Sequence, residues 1–397
     1  MSSPTGCTRR RAPGALLPMT LLLAAACGSS SSFQPLPSPT ATPAPTFAGP
    51  TPTAGSVAAM RLGAIGTVTS VNTREWIAVY RSTPLPIGQG QIILPPDAGP
   101  DAGPVPVVGC PWMPPIDPAC EQRGQPLAVG ESDWVVAYAT DRTPSGFLAP
   151  FQYAAGPAGE VEWLIGFGLP QFSDEVRPAP PARFIGSLDA SESPRIPVLW
   201  REPGASWERL PAEGFVVGPR PYQGDATGRI VGAGLEPELP VLWSESAGAF
   251  RLEILPSLEG GGRGGAYGID GDVIAGWSDD GGGARQAVVW IERDGAFVPQ
   301  KLPRPADALR CDHAIAVSGS FVAGECVYAA GRGVAVVWQR TDDATWTVRA
   351  ILQPLDGDED SAVVGLAGTL AAGSSSLDRR ATPVAWRIAA TEGAAGD

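Results

Sequence analysis

Lysine is nearly missing from this chain: all but one of its 28 basic residues are arginine, the exception being Lys301. That scarcity reads as a high-GC coding bias more than as chemistry. Histidine occurs once, at His313, so any Ser-His-Asp triad would have to run through that residue. No GxSxG, phosphate loop or HExxH is present, which excludes the common hydrolase, nucleotide and zinc-protease motifs. Helical periodicity is absent throughout, and basic residues are outnumbered by 41 acidic ones, for a formal net charge of -13. A surface of that sign repels phosphate backbones and anionic lipid, so nucleic acid is excluded as a partner.

What the chain does have is a repeat. An apolar run ends in tryptophan five times, at Trp200, Trp243, Trp290, Trp338 and Trp386, at intervals of 43, 47, 48 and 48 residues. A second apolar stretch ending in glycine precedes each, at Gly186, Gly232, Gly276, Gly324 and Gly373. After the first four tryptophans come an aromatic (Trp207, Phe250, Phe297, Trp346) and then a closing leucine and proline, as in Leu255-Pro256. Arg293-Asp294-Gly295 predicts a tight hairpin, because Asp-Gly tolerates the positive φ of a primed turn. The tryptophan strand should therefore fold back on the aromatic strand, with the two rings meeting across the ladder. A further short apolar piece, such as Ala266 to Ile269 or His313 to Val317, brings the count to about four strands per unit of roughly 47 residues. This predicts an all-β fold, a β-propeller of six or seven four-stranded blades over residues 58–390, with a tail at 391–397 left disordered. The tryptophans are then expected to pack blade against blade.

The last unit stops after its tryptophan strand, so its fourth strand must come from elsewhere. The stretch Met60 to Val71 is expected to supply it and close the ring. Residues 58–180 follow the repeat loosely, and a Pro/Gly-rich surface insertion is expected near 84–125.

The chain opens with Arg9-Arg10-Arg11 and a short apolar run too brief to span a bilayer, which marks residues 1–26 as an export signal. It ends in Ala24-Ala25-Ala26-Cys27, which resembles a bacterial lipobox. The resemblance implies cleavage before Cys27 and lipidation of that cysteine, hence an extracytoplasmic protein held to the membrane by its lipid alone. Residues 27–57, rich in Ser, Pro and Thr, cannot offset their backbone entropy by burial and are expected as a disordered stalk.

Beyond Cys7 in the signal and Cys27, four cysteines remain, and proximity favours the pairs Cys110 with Cys120 and Cys311 with Cys326. In an oxidising compartment both should be disulfides, each adding about 2 to 3 kcal/mol. Trp112 and Met113 sit in the first bridged loop, where an exposed aromatic is a candidate partner contact. His313 is expected to be packed or channel-facing, with the same role open to it. Asp356, Asp358 and Asp360 begin like a calcium loop, although Ser361 and Ala367 stand where the loop's glycine and glutamate belong; calcium is the one cofactor considered and a solvated turn the alternative.

The units, with a VxG stretch, a variable loop and an apolar run ending in LW, resemble the extracellular HAF-type repeats of bacterial secreted proteins. The resemblance covers about residues 180–390 and implies a propeller outside the cell, with no catalytic residues to carry over. The expectation is a monomeric, non-catalytic binding or scaffold module for a protein or polysaccharide. Its rivals are a carboxylate-dependent glycan hydrolase or lyase and a structural member of an envelope complex. Replacing Cys27 by serine should move the protein from the membrane to the soluble fraction of the cell envelope on fractionation; unchanged partitioning would rule out the lipid anchor.

Overall fold

The structure is a computed structural model that describes residues 55–62, 66–81, 207–343, 345–378 and 380–389, and between 82 and 206 the strands with little else. Cys27, the leader, most of the expected stalk, Cys110, Cys120, Trp112, Met113 and the 391–397 tail lie outside the described residues. Apart from a single 3-10 turn at Ala329–Gly331, the regular elements described are all β-strands. No helix among them is long and apolar enough to cross a membrane.

Among the described residues the strands form seven sheets, each built on an antiparallel meander of consecutive strands. Blade 1 is Thr67–Val71, Ile77–Arg81, Gln89–Ile93 and Val105–Pro106, and blade 2 runs from Gln125–Val129 to Val161–Ile165. In blade 3, Gln171–Phe172 and Arg177–Ala179 both pair with Arg183–Asp189, followed by Ile196–Trp200 and Glu208–Arg209. Blade 4 begins at Arg220–Gly224, blade 5 at Gly264–Asp270, blade 6 at Arg310–Ser318 and blade 7 at Asp360–Ala367. The first strand of each blade touches the first strand of the next, and Asp360–Ala367 returns to Thr67–Val71, so the first strands surround a common axis. The fold is a β-propeller.

The N-terminal stretch is divided between three blades. Met60–Arg61 pairs antiparallel with Arg380–Arg387 and supplies the missing fourth strand of blade 7. Thr67–Val71, expected in the same role, instead starts blade 1. Ser56–Val57, expected in the disordered stalk, adds in parallel to Trp346–Leu352 at the edge of blade 6. The stretch expected as an insertion carries Gln89–Ile93 and Val105–Pro106, two strands of blade 1. Its prolines hid them: Pro106 sits on the last strand, where a missing N–H costs no ladder bond.

The repeat's residues explain the packing. Trp243, Trp290, Trp338 and Trp386 are fully buried. Each donates its indole Nε1–H to a carbonyl just after the previous blade's closing leucine: Pro211 at 2.8 Å, Pro256 at 2.6 Å, Pro303 at 2.6 Å and Gln353 at 2.8 Å. Those leucines, Leu210, Leu255, Leu302 and Leu352, are buried in the same clusters as the tryptophans they precede. The hairpin at Asp294 and Gly295 has φ of 52° and 78°, as the primed turn requires. In blade 5 the two rings do not oppose one another directly: Trp290 faces Pro299 and Phe297 faces Glu292. They are diagonal neighbours on one face, since a direct pair would need both rings at the same ladder rung.

The repeated glycines lie opposite a bulge in the first strand. Gly232, Gly276, Gly324 and Gly373 pair with Pro221, Ala266, Ala314 and Val363, and the register slips by one residue immediately after each. A Cβ on Gly276 would stand 2.0 Å from the Gly265 carbonyl oxygen and 2.9 Å from the Trp290 ring. No side chain fits between the bulged strand and the indole.

Trp290→Phe keeps the ring but removes the donor, leaving the Pro256 carbonyl unpaired inside the protein. A loss of about 1 to 3 kcal/mol in urea unfolding is expected; a variant as stable as the parent would show that the indole bond is not what couples the blades.

Candidate functional site

A bulge leaves one residue of the longer strand unpaired and re-aims its side chain. In the first strands of blades 1, 4, 5, 6 and 7 that residue is Thr69, Tyr222, Tyr267, Ile315 and Val364, and the first strand of blade 2 has the same slip at Leu127. The first five line one cavity of about 450 Å³ on the propeller axis. Glycine, bulge and cavity residue thus form one device, repeated from blade to blade.

The cavity has two unlike walls. Blades 6, 7 and 1 contribute Ile315, Ala316, Val363, Leu366 and Val71, a mainly apolar side that also carries Thr69 and Ser70. Blades 4, 5 and 6 contribute Tyr222, Gln223, Tyr267, Arg285 and His313. Tyr222 and Tyr267 meet edge to face, with centroids 4.8 Å apart and planes at 88°. Tyr267 and His313 are also perpendicular, at 6.4 Å. The buried Trp277 donates its Nε1–H to the Tyr267 hydroxyl at 3.0 Å. The Arg285 guanidinium lies over the Trp277 ring, 3.6 Å from its centroid, in a cation–π contact, and lines the cavity.

The electrostatics follow from burial. The Tyr267 phenol is pushed up to about 12, chiefly by burial and then by Tyr222, so it stays protonated and can donate. Burial lowers His313 below its ordinary value; Asp312 opposes this and Arg285 adds to it. Behind His313, Glu325 approaches its Nε2 at 3.8 Å. Burial raises the Glu325 carboxyl, and Asp360 and Asp312 raise it further. Among the described residues no carboxylate lines the cavity.

His313 therefore lines the cavity, one of the two placements its sequence position left open, on the strand whose Cys311 forms a disulfide with Cys326. Two of the three aspartates considered for calcium have hydrogen-bond partners within the fold. Asp358 accepts a hydrogen bond from the Ser375 hydroxyl at 2.5 Å, and Asp360 accepts one from the Gly333 N–H at 2.9 Å. Among the described residues no three His, Cys, Asp or Glu side chains are gathered as a bound metal needs. Sequence reasoning passed over Tyr222, Tyr267 and Arg285. The signal for the tyrosines was available: Tyr222 follows Pro221 and Tyr267 follows Ala266 in the strand ahead of the repeated glycine, where the bulge falls.

Comparison with solved structures supports the fold. The chain is similar to a protein described in a structural and mechanistic analysis of two prolyl endopeptidases, with TM-score 0.52 and 15% identity over 84% of this chain and 47% of that one. It thus spans about half the length of that protein. It is also similar to the BP39L lectin from Burkholderia pseudomallei (TM-score 0.48, 11% identity, 86% of this chain, 97% of that one). A further likeness is to YCF48 from Cyanidioschyzon merolae (TM-score 0.48, 11% identity, 83% and 97%). No protein-family model matches the chain, and no curated protein does. At 15% identity the first of these likenesses shows the fold alone.

Because the folded state disfavours protonated His313, that residue's contribution to stability is complete above about pH 6.5 and is lost as the pH falls through its lowered value. Glu325 acts oppositely: its raised value favours the protonated form, adding stability below about pH 4.5 that is lost as the pH rises through the folded value. His313→Gln should therefore flatten the fall in stability between pH 7 and 5, measured by urea midpoints; parallel pH profiles for variant and parent would contradict this.

Proposed function

We propose that the chain is a non-catalytic binding module, held outside the cytoplasm by lipid on Cys27, that takes part of a polysaccharide or protein into its axial cavity. The observation that carries this reading is the donor-rich wall of Tyr222, Tyr267, His313 and Arg285 facing a mainly apolar wall across about 450 Å³. Binding sites for small ligands have this size and this mixture of apolar surface with a few placed polar groups. The folded part of a protein partner is too large for the cavity, so a protein would enter by a loop or terminus. Lipid anchoring and export rest on the leader's resemblance to a lipobox.

One observation favours a glycan hydrolase or lyase instead. Glu325 is a carboxyl with a raised value beside Asp312 and Asp360, the kind of pairing that separates an acid from a base. Against it, none of the three lines the cavity, and a substrate held there would meet His313 before Glu325.

A thermal-shift panel on the oxidised protein, with calcium, other divalent ions and envelope and environmental polysaccharides, tests the binding reading. A ligand at a hundred times its dissociation constant should stabilise the fold by roughly 2.7 kcal/mol. A shift with a glycan that Tyr222→Ala abolishes, with no cleavage of that glycan, is expected; cleavage would transfer the case to the enzyme.

A further inference from the structure

We propose that the axial cavity binds a carboxylate-bearing sugar residue of an acidic polysaccharide, with Arg285 taking the carboxylate and Tyr222 and Tyr267 the sugar ring. The proposal rests on the binding reading above and names its ligand. The chain carries a net charge of -13, yet the described lining of its cavity contains an arginine and no carboxylate. In a protein so acidic, that local reversal of sign selects for an anion inside a surface that discourages anions elsewhere.

The arginine is suited to a planar anion. Its guanidinium lies over the Trp277 ring, 3.6 Å from the centroid, and carries the forked N–H groups that match a carboxylate in bidentate fashion. Among the described residues the carboxylate nearest to it is Glu238, at 3.7 Å from Nη2, beyond hydrogen-bond length, and Glu238 is shared with Arg263 at 4.0 Å. Arg263 in turn is held at 2.7 Å by Asp279. A cationic ligand would be opposed by Arg285 and would find no carboxylate among the described lining residues.

The rest of the wall fits a sugar. The Tyr267 hydroxyl spends an acceptor site on Trp277 and keeps its proton to donate. Gln223 and Ser70 offer further polar atoms, while the perpendicular tyrosine rings present the apolar surface that a pyranose C–H face packs against. An extended peptide, by contrast, binds by continuing a ladder along a free strand edge. Here the bulges interrupt the inner strands at the level of the tyrosines, so the main-chain groups are out of step with a peptide's repeat.

The test is calorimetric titration of the oxidised protein with oligomers of galacturonate, glucuronate and mannuronate, with the same oligomers after reduction of their carboxyls to alcohols, and with an acidic peptide. One acidic oligomer should bind, its reduced form about tenfold to hundredfold more weakly, and Arg285→Gln should weaken the acidic oligomer to the level of the reduced one. Raising the salt concentration should narrow the difference. Arg285→Lys, which keeps the charge and loses the fork, should fall between, and it serves as the second variant should Arg285→Gln melt below the parent. Equal binding of acidic and reduced oligomers, indifferent to Arg285→Gln, overturns the proposal and leaves the binding reading standing. Binding of the peptide alone does the same. No binding by any probe overturns the proposal, and a flat thermal-shift panel would then remove the binding reading with it.

Discussion

The blades are coupled through one recurring hydrogen bond, from a buried indole to the carbonyl that ends the preceding blade. A propeller buries its sheets face to face, and such packing alone is non-directional. The indole adds direction: its N–H must find an acceptor inside the protein, and the bond is met only when neighbouring blades are in one relative position. Four successive bonds of this kind, from Trp243 to Trp386, carry the same constraint through the part of the ring where the repeat is clearest. The same indole covers the second strand's glycine, and that glycine accommodates the bulge. Packing and cavity are therefore linked through one side chain.

That linkage separates what the scaffold requires from what the site can vary. Tryptophan, glycine and leucine recur because each is needed for blades to stack. The bulge residue is threonine, tyrosine, tyrosine, isoleucine and valine in blades 1, 4, 5, 6 and 7, because nothing in the stacking depends on it. Functional character thus collects at the irregular point of an otherwise repeated strand, where an unpaired residue faces the axis. The two tyrosines adjoin Arg285 and His313 on neighbouring blades, while the aliphatic residues stand across from them, so the cavity is chemically two-sided although its scaffold is repetitive.

Much of this could be read without coordinates, and the failures have physical causes. The period, the hairpin at Asp294-Gly295, the Cys311 to Cys326 bridge and the blade-to-blade role of the tryptophans all rest on local spacing, and the structure agrees with each. The edges were misplaced. Ser56–Val57 looks like stalk because two residues carry no period, and they become a strand only when blade 6 offers an edge. Gln89–Ile93 lies among prolines and glycines that read as loop, yet the neighbouring strand supplies its ladder. In blade 5 the two rings meet diagonally across the ladder, because hairpin register, not ring chemistry, sets which residues stand opposite.

By itself the sequence determined the strand content, the repeat and the residues that lock one blade to the next, because these depend on separations of a few residues and on turns closed locally. Tertiary structure decided how the N-terminal strands are shared among blades 6, 7 and 1 and which side chains reach the axis. Those are properties of closure: Arg285, Tyr222 and His313 are far apart in the chain and meet only because the ring brings blades 4, 5 and 6 around one cavity. No local pattern records such a meeting, since the energy that enforces it resides in the packing between blades and not in the residues that are brought together.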